Sequence, residues 1–233
     1  MYESDYYLVV LVNARHLDYT DTVSFFNTVA KHPGDGSRTG DFGHAWIFLK
    51  GKLNGKTIVI EGGHSGERGV AQARYFDGIM NYNDSISPYE PNPAKYLWET
   101  LNDGYFERGS GGHSPTFAAK VDLTEDEFLK ILAFIYPSSY HYAHYALTGQ
   151  QCSSFVVQVA SLAHFFFESE VAMAIRKKVW YGNQWVRLWE DPSYSTIRFA
   201  TPDIIEKGLM KAVREGRAEN ATCWYKCHST FVK

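Results

Sequence analysis

The sequence predicts an α+β fold, and three observations lead to this prediction. Residues 6–12 form a continuous apolar run, which is typical of a strand buried on both faces. Residues 43–61 are predicted to form a β-hairpin, because Asn54-Gly55 separates two β-rich runs. Two strongly amphipathic helical patterns follow much later in the chain, without regular βαβ alternation. We therefore expect an antiparallel sheet with helices packed against it.

The composition limits the classes of protein to which this chain can belong. The 233 residues suit a single domain, 1–233, with an irregular insertion at about 65–116 that is rich in Gly, Asn, Pro and Ser. The chain carries 23 Lys+Arg against 26 Asp+Glu, and a net charge of −3 argues against a nucleic-acid partner. Its only basic run, Arg176-Lys177-Lys178, is short. Three Cys exclude a disulfide-stapled scaffold.

Targeting signals are weak in this sequence. The longest apolar run, residues 8–12, is far shorter than the ~20 residues of a transmembrane helix. Residues 1–7 carry Glu3 and Asp5 and no Lys or Arg, so the positive start of a signal peptide is missing. The compartment stays open between the cytoplasm and, if a signal has been removed, the periplasm or secretion. The oligomeric state is open as well.

The remaining elements are predicted from caps and residue spacing. Strand character is expected over 117–123, where apolar and polar residues alternate. Helices are expected at 22–31, at 94–101, after the capping box Thr124 to Glu127, at 152–167, and after Thr201 with Pro202 at its first position.

Cys152 is the first candidate for chemistry. It follows a polar loop and occupies the first turn of an amphipathic helix. Free backbone N–H groups and the helix dipole lower the pKa of a thiol there, and the same N–H groups can hold an oxyanion. The alternative is a small buried apolar residue without a chemical role.

His44 is the second candidate, because it follows Gly43 at the start of a strand and can act as a general base if it reaches the thiol. A third group is needed to orient the imidazole. If Asn54-Gly55 is a two-residue turn, cross-strand partners sum to 109, which places Glu61 on the face of His44 and His64 on the other face. A bulge at the glycines 62–63 would instead place His64 on the same face as His44. Glu61 has a structural alternative, namely pairing with an arginine at 68 or 74.

These motifs resemble the circularly permuted papain-fold superfamily. The resemblance lies in Gly43-His44-Ala45-Trp46-Ile47 on a strand, a second strand ending in a polar residue, and Gln151-Cys152-Ser153 at a helix start, and it covers about 40–64 and 117–167. This NlpC-like group includes the lecithin retinol acyltransferase-like and Lnb-type proteins. Gln151 departs from the Asn that many of these families carry. The resemblance implies an antiparallel sheet packed against the helix that carries the nucleophilic Cys at its N-terminus.

The resulting hypothesis is a cysteine-dependent hydrolase or acyl transferase that acts on an amide or ester. Cys152 attacks the carbonyl, His44 moves the protons, and Glu61 or His64 holds the imidazole. A peptidase or amidase is expected first, a lipid acyltransferase or a non-catalytic binding module on the same fold second. The substrate would be a peptide, glycopeptide or lipid acyl group, no cofactor is required, and the residues expected to contact substrate are Tyr140, Tyr142, Tyr145 and Trp46.

Two further clusters have simpler interpretations. His141 and His144 lie three residues apart but lack a third ligand at a recognisable spacing, so no metal is predicted, and a metal hydrolase that adds a carboxylate is the alternative. Cys223 and Cys227 are separated by three residues, whereas haem attachment uses two, so they are expected to be free cysteines near the C-terminus.

Overall fold

The computed structural model describes residues 4–30, 42–66, 79 and 89–228. The predicted α+β class is confirmed by a large antiparallel sheet and several helices. The strands are β1 (Tyr7–Ala14), β2 (Gly43–Leu53), β3 (Lys56–Ser65), β4 (Tyr105–Arg108), β5 (Phe117–Asp122), β6 (Glu170–Ala174), β7 (Lys178–Tyr181), β8 (Gln184–Arg187), β9 (Thr196–Ala200) and β10 (Glu219–Asn220).

The α-helices are α1 (Thr22–Ala30), α2 (Glu125–Ile135), α3 (Cys152–Leu162), α4 (Pro202–Arg214) and α5 (Thr222–His228). Single 3₁₀ turns cover Pro93–Trp98 and Pro192–Tyr194. The six-stranded sheet has the order β10-β5-β1-β2-β3-β4, and each neighbouring pair is antiparallel. Two smaller pairs, β6 with β9 and β7 with β8, are separate from it.

The predicted hairpin register is confirmed. Phe48 lies opposite Glu61, and Asn54 and Gly55 adopt φ angles of 51° and 74°, as a two-residue turn of this hand requires. Because successive strand residues point to opposite faces, this register decides which polar residues of β2 and β3 share a side of the sheet.

The two faces of the sheet have different cores. Ala45 of β2 belongs to the main cluster, which α2, α3 and α4 cover. Trp46, the next residue, belongs to the opposite cluster with Tyr7 of β1 and Tyr225 of α5. Residues 7–12 of β1 are all buried, as their continuous apolar run predicts, because alternate residues pack into the two clusters on opposite faces of the sheet.

Several helix boundaries were predicted correctly and two were not. The capping box at Thr124 and the first-position Pro202 are present. The helix predicted over 152–167 ends at Leu162, because the chain turns through a left-handed residue at His164 (φ 50°), and the side chain of Phe166 is exposed. The helix predicted over 94–101 is the 3₁₀ turn Pro93–Trp98.

Some expectations fall outside the described residues, namely the loop up to Gly40, the last residue of the first helix, and two parts of the 65–116 insertion (67–78 and 80–88). Within the described ranges, every helix is too short or too polar to cross a membrane.

Candidate active site

Cys152 is the first residue of α3, and Gln151 caps that helix. The Gln151 side-chain oxygen accepts a hydrogen bond from the Ser153 backbone N–H at 2.7 Å, and its amide nitrogen donates to the Ala200 carbonyl at 2.6 Å. The Ser154 hydroxyl accepts from the Gln151 backbone N–H at 2.8 Å, which completes a reciprocal cap. Gln151 therefore fixes the position of the thiol by joining the helix start to β9.

The Cys152 thiol is buried, and burial raises its pKa. Opposing this, hydrogen bonds from the Ala45 and Ser153 backbones and from the hydroxyls of Ser153 and Tyr145 lower the pKa. Because burial is the larger effect, the thiol is protonated at neutral pH. Any reaction at this sulfur therefore needs a base.

His64 of β3 lies on the same face as Cys152 and is fully buried. Its Nε2 atom is 2.9 Å from the Tyr142 carbonyl, and its Nδ1 atom is 2.9 Å from the Tyr140 hydroxyl. A carbonyl only accepts, so Nε2 carries the proton and Nδ1 accepts from Tyr140. Burial lowers the pKa of His64 to about 4, so the ring is neutral at pH 7 and Nδ1 carries no proton.

Two tyrosines connect this imidazole to the thiol. Tyr140 is bonded to His64 and interacts electrostatically with Cys152, while burial raises the pKa of the Tyr140 phenol. The Tyr145 ring lies 5.1 Å from the His64 ring, and its hydroxyl reaches the thiol. The thiol donates a hydrogen bond to the Gln151 side-chain oxygen at 3.5 Å, and its sulfur lies 3.9 Å from the Ser153 hydroxyl oxygen.

Two of the three tyrosines that were expected to contact substrate are buried inside the chain, which corrects that expectation. Tyr140 and Tyr142 are buried, and the Tyr142 hydroxyl donates to the Ile135 carbonyl at 2.9 Å. Their hydroxyl groups are used within the chain, that of Tyr140 by the His64 imidazole and that of Tyr142 by the backbone, so these groups do not face a substrate. Tyr145 is half-buried and is the one of the three that lies near the surface.

His44 and Cys152 do not form the predicted pair. His44 stacks between Trp46, at a centroid distance of 5.7 Å, and His113, at 5.0 Å. This is the face opposite Cys152, because Ala45 rather than His44 points toward α3. Burial and the neighbouring His113 lower the pKa of His44 to about 3, and its Nε2 atom is buried without a hydrogen-bond partner among the described residues.

Glu61 also lies on the His44 face, as the register predicts, and so it does not orient His64. Its carboxylate accepts a hydrogen bond from the Tyr225 hydroxyl. Burial raises the pKa of Glu61, while Tyr225 and the Trp46 indole lower it. The Trp46 indole N–H lies beside this carboxylate without meeting hydrogen-bond geometry. The Trp46 ring is fully buried, so the prediction that it contacts substrate is wrong. Arg68 and Arg74, the alternative partners of Glu61, lie outside the described residues.

Sequence reasoning missed Gly104, which makes room for the His64 contact. A Cβ atom at this position would lie 2.1 Å from the Tyr142 carbonyl oxygen and 2.8 Å from His64 Nε2. Gly104 sits in an irregular stretch without periodicity, so only its neighbours in space reveal its importance. His113 and Tyr225 were missed for the same reason.

Among the described residues, no group of three or more His, Cys, Asp or Glu is arranged to hold a metal ion. His141 and His144 stack at 5.9 Å on the surface. Cys223 and Cys227 are free and exposed on α5. A scan against protein-family models, a search of curated proteins and a search of solved structures each returned no match.

Proposed function

We propose that this chain is a cysteine-dependent hydrolase or acyl transferase acting on an amide or ester, with Cys152 as nucleophile and His64 as base. One observation carries the proposal: the Tyr145 hydroxyl reaches the thiol at the start of α3, and the Tyr145 ring lies 5.1 Å from the imidazole of β3, which is also hydrogen-bonded to Tyr140. A thiol, a neutral imidazole and hydroxyl groups between them are the components of acyl transfer to sulfur.

The same arrangement supports a circularly permuted papain-like fold as the finer architecture. The strand that carries the imidazole precedes the helix that carries the thiol, and the antiparallel sheet packs against that helix. His64 takes the place that the sequence resemblance gives to His44.

The first half-reaction removes the thiol proton. As Cys152 sulfur attacks the acyl carbon, its proton leaves by way of the Tyr145 and Tyr140 hydroxyls: Tyr140 gives its own proton to Nδ1 of His64 and is reprotonated from the thiol side. A carbon–sulfur bond forms and the carbonyl electrons move onto oxygen. The backbone N–H of Cys152, at the start of α3, stabilises this oxyanion.

The second half-reaction restores the enzyme. When the tetrahedral intermediate collapses, the carbon–nitrogen or carbon–oxygen bond breaks and the leaving group takes the proton from His64. A thioester on Cys152 remains. Water completes hydrolysis, or a second nucleophile completes transfer, and the sulfur recovers its proton. The acyl donor is a peptide, a glycopeptide or a lipid, with a peptide amide preferred from the family resemblance.

One observation favours a second candidate, a non-catalytic binding module on the same fold. The Cys152 thiol is only 5% exposed, and burial raises its pKa. An inert buried cysteine has these properties as well. The two candidates differ in whether His64 controls the reactivity of the sulfur.

Alkylation of the sulfur tests the proposal directly. In a Cys223→Ser/Cys227→Ser background, Cys152 is the remaining thiol, and its reaction with iodoacetamide can be followed by mass spectrometry between pH 6 and 9. We expect His64→Gln to slow this labelling by about tenfold or more, because removing a general base costs on the order of 10²–10⁴ in rate.

His44→Gln is the matched control, since it changes an equally buried histidine on the opposite face. This variant should label at the parent rate if it stays folded by circular dichroism. Equal, slow labelling in the parent and in His64→Gln would overturn the enzyme proposal and favour the binding module. Loss of labelling in His44→Gln alone would reinstate the pair that the sequence predicted.

A further inference from the structure

The β7–β8 hairpin presents an unusual surface that the proposed reaction does not use. Trp180 and Trp185 are directly opposite each other in its register, and their side chains are 55% and 66% exposed. The other four tryptophans of the chain are buried or half-buried. Exposing two large indole rings to water on one small hairpin costs free energy, and such an exposed apolar patch is typical of a binding surface.

The hairpin holds this pair in a fixed geometry. Gly182 and Asn183 form its two-residue turn with φ angles of 57° and 64°. The inner face, with Val179 and Val186, packs into a buried cluster. The indoles therefore point outward from a rigid support.

Positive charge surrounds the tryptophans. Lys178 and Arg187 are cross-strand partners on the same outer face, two residues from the indole pair, which corresponds to about 7 Å. Like charges opposite each other destabilise a hairpin, and here one ion pair, Arg187 with Glu190, offsets the cost. Arg176 and Lys177 immediately precede the hairpin and are exposed. The chain as a whole has a net charge of −3, so this cluster is local.

We infer that the outer face of the β7–β8 hairpin docks on an anionic lipid surface. Indole rings favour the interface between headgroups and acyl chains, and adjacent Lys and Arg side chains pair with lipid phosphates. The ring planes of Trp180 and Trp185 cross at 75°, with centroids 5.5 Å apart. They do not form the single flat platform on which a sugar ring would stack, so a lipid surface fits them better than a polysaccharide.

Vesicle co-sedimentation of the full chain tests this inference. We expect binding to vesicles of phosphatidylcholine mixed with phosphatidylserine, weaker binding to phosphatidylcholine alone, and release by added salt. Trp180→Ala/Trp185→Ala should abolish the binding. Lys177→Gln/Lys178→Gln should weaken it by about thirtyfold, because each of the two cations contributes about 1 kcal/mol near an anionic surface and about 1.4 kcal/mol is a factor of ten.

Matched controls separate docking from general effects. Phe166→Ala removes an exposed aromatic ring elsewhere, and Lys207→Gln/Lys211→Gln removes the same charge from the exposed side of α4; both should bind like the parent. If Trp180→Ala/Trp185→Ala is as thermally stable as the parent, its loss of vesicle binding is not due to unfolding. If that variant unfolds, Trp180→Phe/Trp185→Phe replaces it in the experiment. Absence of binding to anionic vesicles, or binding that survives the tryptophan changes, overturns the inference. So does tryptophan-dependent retention on an insoluble polysaccharide without vesicle binding.

Discussion

The Nδ1 atom of His64 lies 2.9 Å from the hydroxyl of Tyr140, on the face of the sheet that carries Cys152. This contact joins a strand to a loop residue far along the chain and fixes the orientation of the ring, while the Tyr142 carbonyl fixes the tautomer. The imidazole has its second bond to the Tyr142 carbonyl, so both nitrogens are satisfied in the resting site. The position of the ring is therefore held by contacts within the chain itself.

Removal of the Tyr140 hydroxyl tests this contact. Tyr140→Phe keeps the ring packing but leaves Nδ1 of His64 without a donor in a buried site. We expect the free energy of unfolding to fall by about 1–2 kcal/mol and labelling of Cys152 to slow. Urea denaturation and the alkylation rate measure the two effects. Unchanged alkylation together with the expected loss of stability would limit Tyr140 to a structural role.

A methyl group at Gly104 should disturb the second hydrogen bond of His64, the one between its Nε2 atom and the Tyr142 carbonyl. The new Cβ atom would lie 2.1 Å from the Tyr142 carbonyl oxygen, which is backbone and cannot move aside easily. We expect Gly104→Ala to lower the free energy of unfolding by about 1–3 kcal/mol and to shift the His64 ring resonances. Gly149→Ala is the control, because its nearest contact would be the Ala146 Cβ at 3.3 Å. Similar losses in both variants would contradict the steric argument.

Stability should depend on pH through the two buried histidines. Burial lowers the pKa of His44 to about 3 and that of His64 to about 4, from 6.5 in an unfolded chain. Between these values the unfolded state binds more protons, so the stabilisation is present above pH 6.5 and is lost as the pH falls toward 4 and 3. At 1.36 kcal/mol per pKa unit, His44 contributes about 5 kcal/mol and His64 about 3 kcal/mol over the full range.

Urea denaturation at a series of pH values measures this dependence. His44→Gln should remove about half of the slope between pH 6.5 and 4 if the variant folds. The same slope in the parent and in both single variants, His44→Gln and His64→Gln, would show that other groups dominate acid unfolding.

The Glu61–Tyr225 pair should respond asymmetrically to mutation. Burial raises the pKa of Glu61, so its stabilising contribution is greatest below the unfolded pKa of 4.5 and is lost as the pH rises through the folded value. Glu61→Gln keeps an acceptor for Tyr225 and removes the buried charge, so stability at pH 7 should stay within about 1 kcal/mol of the parent. Tyr225→Phe leaves the carboxylate without its donor and should cost about 2 kcal/mol.

Thermal or urea unfolding of the two variants side by side tests this asymmetry. A larger loss in Glu61→Gln than in Tyr225→Phe would indicate that the charge itself is needed on this face, which the described contacts do not explain.

Local sequence rules predicted a large part of the fold. The Asn54-Gly55 turn, the sum of 109 for cross-strand partners and the capping box at Thr124 all depend on residues close in sequence, and the structure has each of them. The start of α3 at Cys152 is also local, because a polar loop precedes an amphipathic pattern. The end of α3 was misjudged because apolar residues continue past Leu162 while the backbone turns at His164.

The sequence by itself determined that Glu61 shares a face with His44, because side chains alternate along a strand, and it left the face of His64 dependent on whether the glycines 62–63 form a bulge. Only the tertiary structure decided which of these faces receives Cys152. That choice depends on which apolar surface of the sheet buries α3, and it is made by contacts between segments far apart in the chain, with Ala45, Ile47 and Phe155 in one core. The sheet therefore separates His44 from the thiol and brings His64 to the tyrosines beside it.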